Sequence, residues 1–308
     1  METIKTFTTE KLITIIDWLQ ENTAQLKAGD TISLIVPDPD VGSGLFGGEM
    51  NRYGMIHRSW KNWVDLAETM DCRILKPEAK NGHLVILHFQ KLNESHSWHK
   101  STIDKYSTDS QFARIDKTEE SGFIIDYLAA LKRLQLQKGA AILNLGVNTG
   151  EEFAVIRHAV NEETYRSFSF TGIDLDASAI AQARTHLNTQ QFHFIQGDIN
   201  QLTQLNPGQF DVVISIGTLH SPGIDRQAVL RTLMQHCLKP QAAVIFAFPN
   251  CRYIDGEMKY GAKVKNYSEP ELSLLIKDVA FYKKYLQQHH FKVNITGKYY
   301  IFITAKRV

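Results

Sequence analysis

Apolar residues recur at helical spacing from Leu12 to Leu26, and the run from Thr31 to Pro37 reads as a strand. His57 to Met70 has the pattern of a helix with Trp60 and Trp63 on one face, which predicts packing against a sheet; Leu84-Val85-Ile86-Leu87-His88-Phe89 reads as a further strand. A polar stretch with neither period, from His96 to Ser110, then interrupts the pattern as a surface connection would. Beyond it Glu120 to Leu134 is an amphipathic helix, followed by five short apolar runs at Ala141–Leu145, Ser169–Ile173, Phe192–Ile195, Val212–Ile216 and Ala243–Phe248. Helical patterns separate most of them, and strands alternating with helices imply right-handed crossovers and a mostly parallel sheet. The chain ends differently, with Phe291–Thr296 and Tyr299–Ala305 joined through Gly297-Lys298 as a hairpin. The expectation is an α/β protein in two parts: a smaller N-terminal α/β unit over residues 1–105, and a domain over 106–308 whose sheet is finished by the hairpin.

Composition changes this picture little. The fractions, 43% hydrophobic and 22% charged, are those of an ordinary folded protein. No stretch approaches the ~18 consecutive apolar residues of a membrane span, and the polar start Met1-Glu2-Thr3-Ile4-Lys5 lacks the run of a signal peptide, so a cytoplasmic protein without membrane attachment is expected. Three scattered cysteines, Cys72, Cys237 and Cys251, predict reduced thiols and neither a disulfide framework nor a metal knuckle. Charge is uneven: residues 251–308 hold eleven Lys and Arg against five Asp and Glu. A basic end of this kind fits either a solvated face or a phosphorylated or nucleic-acid partner. The density of glycine in Val41–Gly48 marks a loop that needs positive φ or close backbone approach.

The chemistry concentrates at the C-terminal ends of the predicted parallel strands, where open sheets of this type bind ligands. In Ile142-Leu143-Asn144-Leu145-Gly146-Val147-Asn148-Thr149-Gly150 a strand turns into a helix through two glycines, which allow a ligand close to the backbone, and the helix start offers N–H groups to a carboxylate. Phe170-Thr171-Gly172-Ile173-Asp174-Leu175-Asp176 ends in an acid able to accept both ribose hydroxyls of an adenosine, although Asp174 or Asp176 could equally cap the next helix. Asp174 lies farther from Gly150 than the ~20 residues usual for such folds, which predicts a small insertion near Asn161–Arg166. Gln196-Gly197-Asp198-Ile199 places a third acid past a strand, as a turn aspartate or as an acceptor for an adenine amino group. Phe210–His220 is a buried strand running into a polar bend.

This ordered series resembles the motifs of class I S-adenosylmethionine-dependent methyltransferases, over roughly residues 138–308. The resemblance implies a Rossmann-like seven-stranded sheet with the terminal hairpin as its last two strands, and S-adenosyl-L-methionine as cofactor. Carried over by position, it implies that Gly146, Val147, Asn148 and Gly150 hold the methionine part, Asp174 and Leu175 the ribose, and Asp198 and Ile199 the adenine. Ile216 lies at the end of the fourth strand, facing the same crevice, and Arg114, just before the Glu120 helix, is a candidate partner for the cofactor carboxylate. This chain departs from the family where the first-strand acid is replaced by Asn144, which weakens a charged anchor for the amino group, and where the central glycine of the turn is replaced by Asn148. Asparagine tolerates left-handed backbone angles better than most residues, so the turn survives.

Methyl transfer needs no metal, and no zinc-type spacing is present: His96-x-x-His99 lacks partners nearby in sequence. His220, just past the fourth strand, is the best-placed base for a hydroxyl or amine acceptor. Cys251 reads as a small buried residue rather than a nucleophile. The insertion from Arg252 to Tyr267 interleaves bases with tyrosines and is expected to overhang the crevice, as a lid over a small acceptor or as a surface for RNA. The expected activity is methyl transfer to O or N of a small molecule, with the N-terminal unit recognising the acceptor. An RNA (tRNA) or protein acceptor, and a non-catalytic module that senses the cofactor, are the alternatives. A nicotinamide oxidoreductase is disfavoured by the absence of GxGxxG spacing.

Overall fold

The structure, a computed structural model, describes residues 3–94, 114–262 and 272–308. The polar connection around residue 105, the His96/His99 pair and the Lys263–Tyr267 end of the basic insertion lie outside the described residues. The chain divides into two compact units: Met1–Lys100 with Tyr253–Lys259, and Ser101–Arg252 with Tyr260–Val308.

The first unit is a sheet covered by two helices. Its elements are β1 (Thr3–Thr6), α1 (Leu12–Thr23), β2 (Thr31–Pro37), α2 (Trp60–Thr69), β3 (Cys72–Ile74), β4 (Glu78–Lys80) and β5 (Leu84–Lys91). The strand order is β1-β2-β5-β3, with β4 also on β5; only β1 and β2 run parallel. Ser59 caps α2 by accepting from the Asn62 N–H, and the helix then turns Trp63, Leu66 and Ala67 inward. Trp63 is fully buried among Phe7, Ile15, Leu19, Ile32, Leu34 and Phe89, so the tryptophan pair is a packing device, as its spacing predicts. Trp60 rests on the same cluster while its indole N–H donates to Asp40 Oδ1 at 2.8 Å. The three short strands β1, β3 and β4 are too brief to show a period in the sequence.

The second unit runs α3 (Ser121–Leu134), β6 (Ala141–Leu145), α4 (Glu151–Ile156), α5 (Glu162–Arg166), β7 (Ser169–Asp174), α6 (Ala177–His186), β8 (Phe192–Gln196), α7 (Leu202–Leu205), β9 (Phe210–Ile216), α8 (Arg226–Thr232), β10 (Leu238–Pro249), β11 (Cys251–Ile254), β12 (Glu257–Tyr260), α9 (Ser273–Gln288), β13 (Phe291–Thr296) and β14 (Tyr300–Arg307). Seven strands form one sheet in the order β13-β14-β10-β9-β6-β7-β8. The five from β6 to β10 are mutually parallel, β14 runs antiparallel to β10, and β13 antiparallel to β14. This is the Rossmann-like methyltransferase sheet with its terminal hairpin. The central strand β9 is buried along almost its whole length, which is why it reads as a continuous apolar run rather than an alternation.

Strand order reverses between β6 and β9, so the C-terminal ends of those two strands flank a crevice. The insertion expected near Asn161–Arg166 is α5, capped by Asn161 accepting from the Thr164 N–H. β10 begins earlier than its apolar core: Leu238 pairs with Phe210, and the register shifts before Ala243. The described part of the insertion from Arg252 forms β11 and β12, paired with each other, and Tyr253–Lys259 belongs to the first unit. There Asp255 accepts from Arg73 through its carbonyl at 2.8 Å and its carboxylate at 2.9 Å, and Lys259, almost wholly buried, pairs with Asp71.

Candidate functional site

The turn from β6 to α4 is fixed by backbone angles that few residues adopt. Gly146, Asn148 and Gly150 have φ of 77°, 49° and 92°. Asparagine at the middle position therefore does what its tolerance of left-handed angles predicts. A Cβ on Gly146 would lie 2.0 Å from Thr218 Oγ1, just past the end of β9, and one on Gly150 2.7 Å from Leu187. The glycines are thus demanded by the protein's own packing across the crevice floor, and Thr218 is a neighbour of the turn that sequence spacing does not reveal.

Asp174 closes the turn from the adjacent strand. Its Oδ2 accepts the Asn148 N–H at 2.8 Å and its Oδ1 the Asp176 N–H at 3.0 Å. Burial raises its pKa above the usual aspartate range, with these N–H bonds opposing. The helix cap is Asp176, whose Oδ1 accepts from both the N–H and the hydroxyl of Ser178 at 2.7 Å. The capping role falls to Asp176 alone. Each Asp174 oxygen keeps a second lone pair, so hydroxyl donors can still be accepted. Beside it, Leu175 exposes 71% of its surface, an apolar side chain left in water next to a carboxylate.

The other expected residues separate. Val147 is fully buried, would collide with any Cβ on Gly172, donates its N–H to Ile173 O and accepts from the Gly150 N–H. Its N–H and its side chain are both engaged in shaping the turn. Ile199 and Ile216 are 5% exposed, and their side chains go to the interior. Asp198 caps the 3-10 turn Ile199–Gln201 by accepting the Asn200 N–H at 2.8 Å. Arg114 is exposed, and His220 is exposed with its ring 6.2 Å from that of Phe248. α4 is six residues long and carries Glu151 and Glu152 in its first turn, where acids complement the partial charge of a helix start.

Sequence reasoning missed one cluster entirely. Glu152 is fully buried, and its Oε1 lies 2.5 Å from Lys117 Nζ, while its Oε2 is 3.4 Å from Asn144 Nδ2. Tyr127 donates its hydroxyl to the Glu152 carbonyl at 3.3 Å. Burial raises the Glu152 carboxyl, against the pull of Lys117; for Lys117 burial works downward and is the largest single influence, but the charge and hydrogen bond of Glu152 together with the charges of Glu151 and Asp116 outweigh it and the value is raised. Asn144 is itself fully buried, and its Oδ1 has no partner among the described residues. Nothing in the spacing could expose this, because Lys117 precedes α3 and meets α4 only in the folded chain.

The methyltransferase domain family matches residues 136–298. The chain belongs to that family. Solved structures similar to this methyltransferase are known. It is similar to a SAM-dependent methyltransferase from Aquifex aeolicus, 17% identical over 64% of this chain and 98% of that one, with a TM-score of 0.44. It is also similar to magnesium protoporphyrin IX methyltransferase from Synechocystis with bound SAM, at 18% identity over 60% and 78%, TM-score 0.40. A third likeness is to 1,6-didemethyltoxoflavin-N1-methyltransferase from Burkholderia thailandensis, at 16% identity over 64% and 82%, TM-score 0.42. No curated protein matches the chain in sequence. The cofactor of this methyltransferase is S-adenosylmethionine, and the residues present fit it: a partly buried carboxylate with spare acceptor capacity at Asp174, an exposed apolar neighbour at Leu175, and an orphaned buried acceptor at Asn144. No described helix is long and apolar enough to cross a membrane. Among the described residues no cluster of His, Cys, Asp and Glu could hold a metal ion.

Proposed function

We propose that this S-adenosylmethionine-dependent methyltransferase acts in the cytoplasm on oxygen or nitrogen of a small molecule. The observation that carries the small-molecule reading is the state of Arg252 and Lys259, the two bases of the tyrosine-rich insertion among the described residues. Arg252 Nη1 donates to the carbonyls of Tyr260 and Gly261 at 2.9 Å each, and Lys259 is 2% exposed beside Asp71. Charges spent on internal partners are not displayed for a phosphate backbone, which needs several accessible cations. RNA is the second reading, favoured by the excess of Lys and Arg beyond residue 250. In this reading the first unit recognises the acceptor.

Asp174 and Leu175 would hold the adenosine, with Asp198 towards the adenine and Arg114 towards the carboxylate. The cofactor, when bound, supplies a methyl group already activated by a sulfonium leaving group. The protein's part is to align the acceptor's lone pair with that carbon and exclude water. His220 would take the proton that the acceptor loses, on a ring nitrogen. Radiolabelled cofactor incubated with the protein and fractionated cell extract tests the acceptor: label should enter the low-molecular-weight fraction, and label in RNA or protein would refute the reading. His220→Ala should lower kcat by about 100-fold or more with cofactor affinity unchanged; an unchanged kcat removes the base from the mechanism.

A further inference from the structure

Asn250, the residue after β10, ties together two segments that are distant in sequence. Its N–H donates to the Tyr299 carbonyl at 2.7 Å and its Nδ2 to the Lys298 carbonyl at 3.0 Å, which fixes the turn between β13 and β14. Its own carbonyl accepts the Gly261 N–H at 2.8 Å, and Arg252 holds the neighbouring Tyr260 carbonyl at 2.9 Å. Tyr299 is also held from α3: a Cβ on Gly122 would lie 2.5 Å from its ring, so the glycine there makes room for the aromatic. The result is a corner of two rings, 6.3 Å between centroids with their planes at 72°. Lys298 Nζ stands 4.5 Å from the centre of the Tyr299 ring and 5.9 Å from that of Tyr260. Lys298 is exposed, and Tyr260 shows 43% of its surface although its backbone is fixed on both sides. A ring displayed on a fixed backbone loses little freedom when it meets a ligand.

Topology puts this corner on the edge of the sheet that carries Asp174 and the β6–α4 turn. β10 is parallel to β9 and antiparallel to β14, with Pro249 opposite Tyr300, so the end of β10 and the start of β14 share that edge. Phe248, whose ring is 6.2 Å from that of His220, stands two residues before Asn250, or about 7 Å along the strand. The geometry points to Tyr260, Tyr299 and Lys298 as a subsite for the methyl acceptor, and to an acceptor that is a planar aromatic anion. This rests on the proposed small-molecule reading: with adenosine at Asp174 and Asp198, after β7 and β8, the acceptor is left the part of the edge at β9, β10 and β14. Two rings set steeply to each other offer a face and an edge, so a flat ring stacks on one and meets the other edge-on. Lys298 decides the sign. An ammonium beside the rings attracts an anionic substituent and repels a cationic one, which selects among flat molecules of equal size. The corner belongs wholly to the second unit, so it acts separately from recognition by the first.

Ligand-observed NMR titration of the full chain saturated with S-adenosylhomocysteine tests this with three probes of nearly equal size: the anion 4-hydroxybenzoate, the neutral 4-hydroxybenzamide and the cation 4-hydroxybenzylamine. Affinity should fall in that order, by about tenfold from first to last. Lys298→Glu should bring the benzylamine ahead of the benzoate, with S-adenosylhomocysteine affinity unchanged. Tyr260→Ala should weaken all three probes by about fivefold. An order of affinity that Lys298→Glu leaves unaltered, probe affinities that Tyr260→Ala leaves unaltered, or no binding of any probe overturns the proposal. The labelled product formed from cell extract separates the two levels of the reading. Label in RNA or protein defeats the small-molecule reading and this inference with it, whereas a small labelled product that is a cation or has no aromatic absorbance defeats this inference alone.

Discussion

The two sheets of this protein solve different problems. In the second unit five parallel strands end on one side, and the loops after β6, β7, β8 and β9 all emerge there. In the first unit β2 and β5 run antiparallel, as do β3 and β4 against β5, so successive loops leave from opposite edges. A parallel sheet collects polar loop residues by construction, which is why Asp174, Asn148 and Thr218 converge from separate strands. The antiparallel sheet gains a tight apolar core but no common edge for chemistry. Burial of an aromatic in one unit and of a carboxylate in the other therefore have different consequences: Trp63 serves packing, whereas Asp174 is a partly buried carboxylate that ties the β6–α4 turn to the adjacent strand.

The largest effect that separates the units should come from Trp63→Ala. Emptying a fully buried site of this size costs about 3–5 kcal/mol; the variant should unfold at much lower denaturant while its folded fraction binds S-adenosylhomocysteine normally. A parallel loss of intrinsic affinity would break the comparison. Next, Asp174→Asn should lower affinity by about 100-fold, roughly 3 kcal/mol for two hydrogen bonds to a charged acceptor. Stability should change by less than about 1 kcal/mol, because relief from burying a charge offsets a weakened bond to the turn.

The pH dependence follows with its sign. Burial raises the Asp174 pKa, so the ionised acceptor forms only above the usual aspartate range, and affinity should fall as pH drops through that raised value. Stability runs the other way: a raised acid gives a contribution present at low pH and lost as pH rises through the folded value. Acidification should thus weaken S-adenosylhomocysteine binding in calorimetry while this group's effect on melting temperature is favourable. In Asp174→Asn both dependences should vanish. The smallest effect is that of Leu175→Ser, which should cost about 1 kcal/mol of cofactor affinity, or about fivefold, with no change in melting temperature, since the side chain is exposed in the free protein. A stability loss there would mean Leu175 packs on protein.

The strands and helices of the second unit were legible because their periods are long and the motifs recur in order. β6, β7 and β9 fall where the apolar runs put them, and the terminal hairpin is where Gly297-Lys298 divides two such runs. Val147 shows what position alone does not reveal: its side chain packs against Gly172, a residue of the next strand. The basic insertion shows another limit, since charge density cannot say whether Arg252 and Lys259 face water or a partner.

The sequence by itself determined the class of sheet, the order of its motifs and the left-handed turn at Asn148, since these depend on local period and local backbone sterics. Only the tertiary structure decided that Lys117 pairs with Glu152, that Asn144 lies beside Glu152, and that Asp174 rather than Asp176 faces the turn. Those outcomes depend on which side chains lose their water together, and desolvation is a property of the packed whole, not of any window along the chain.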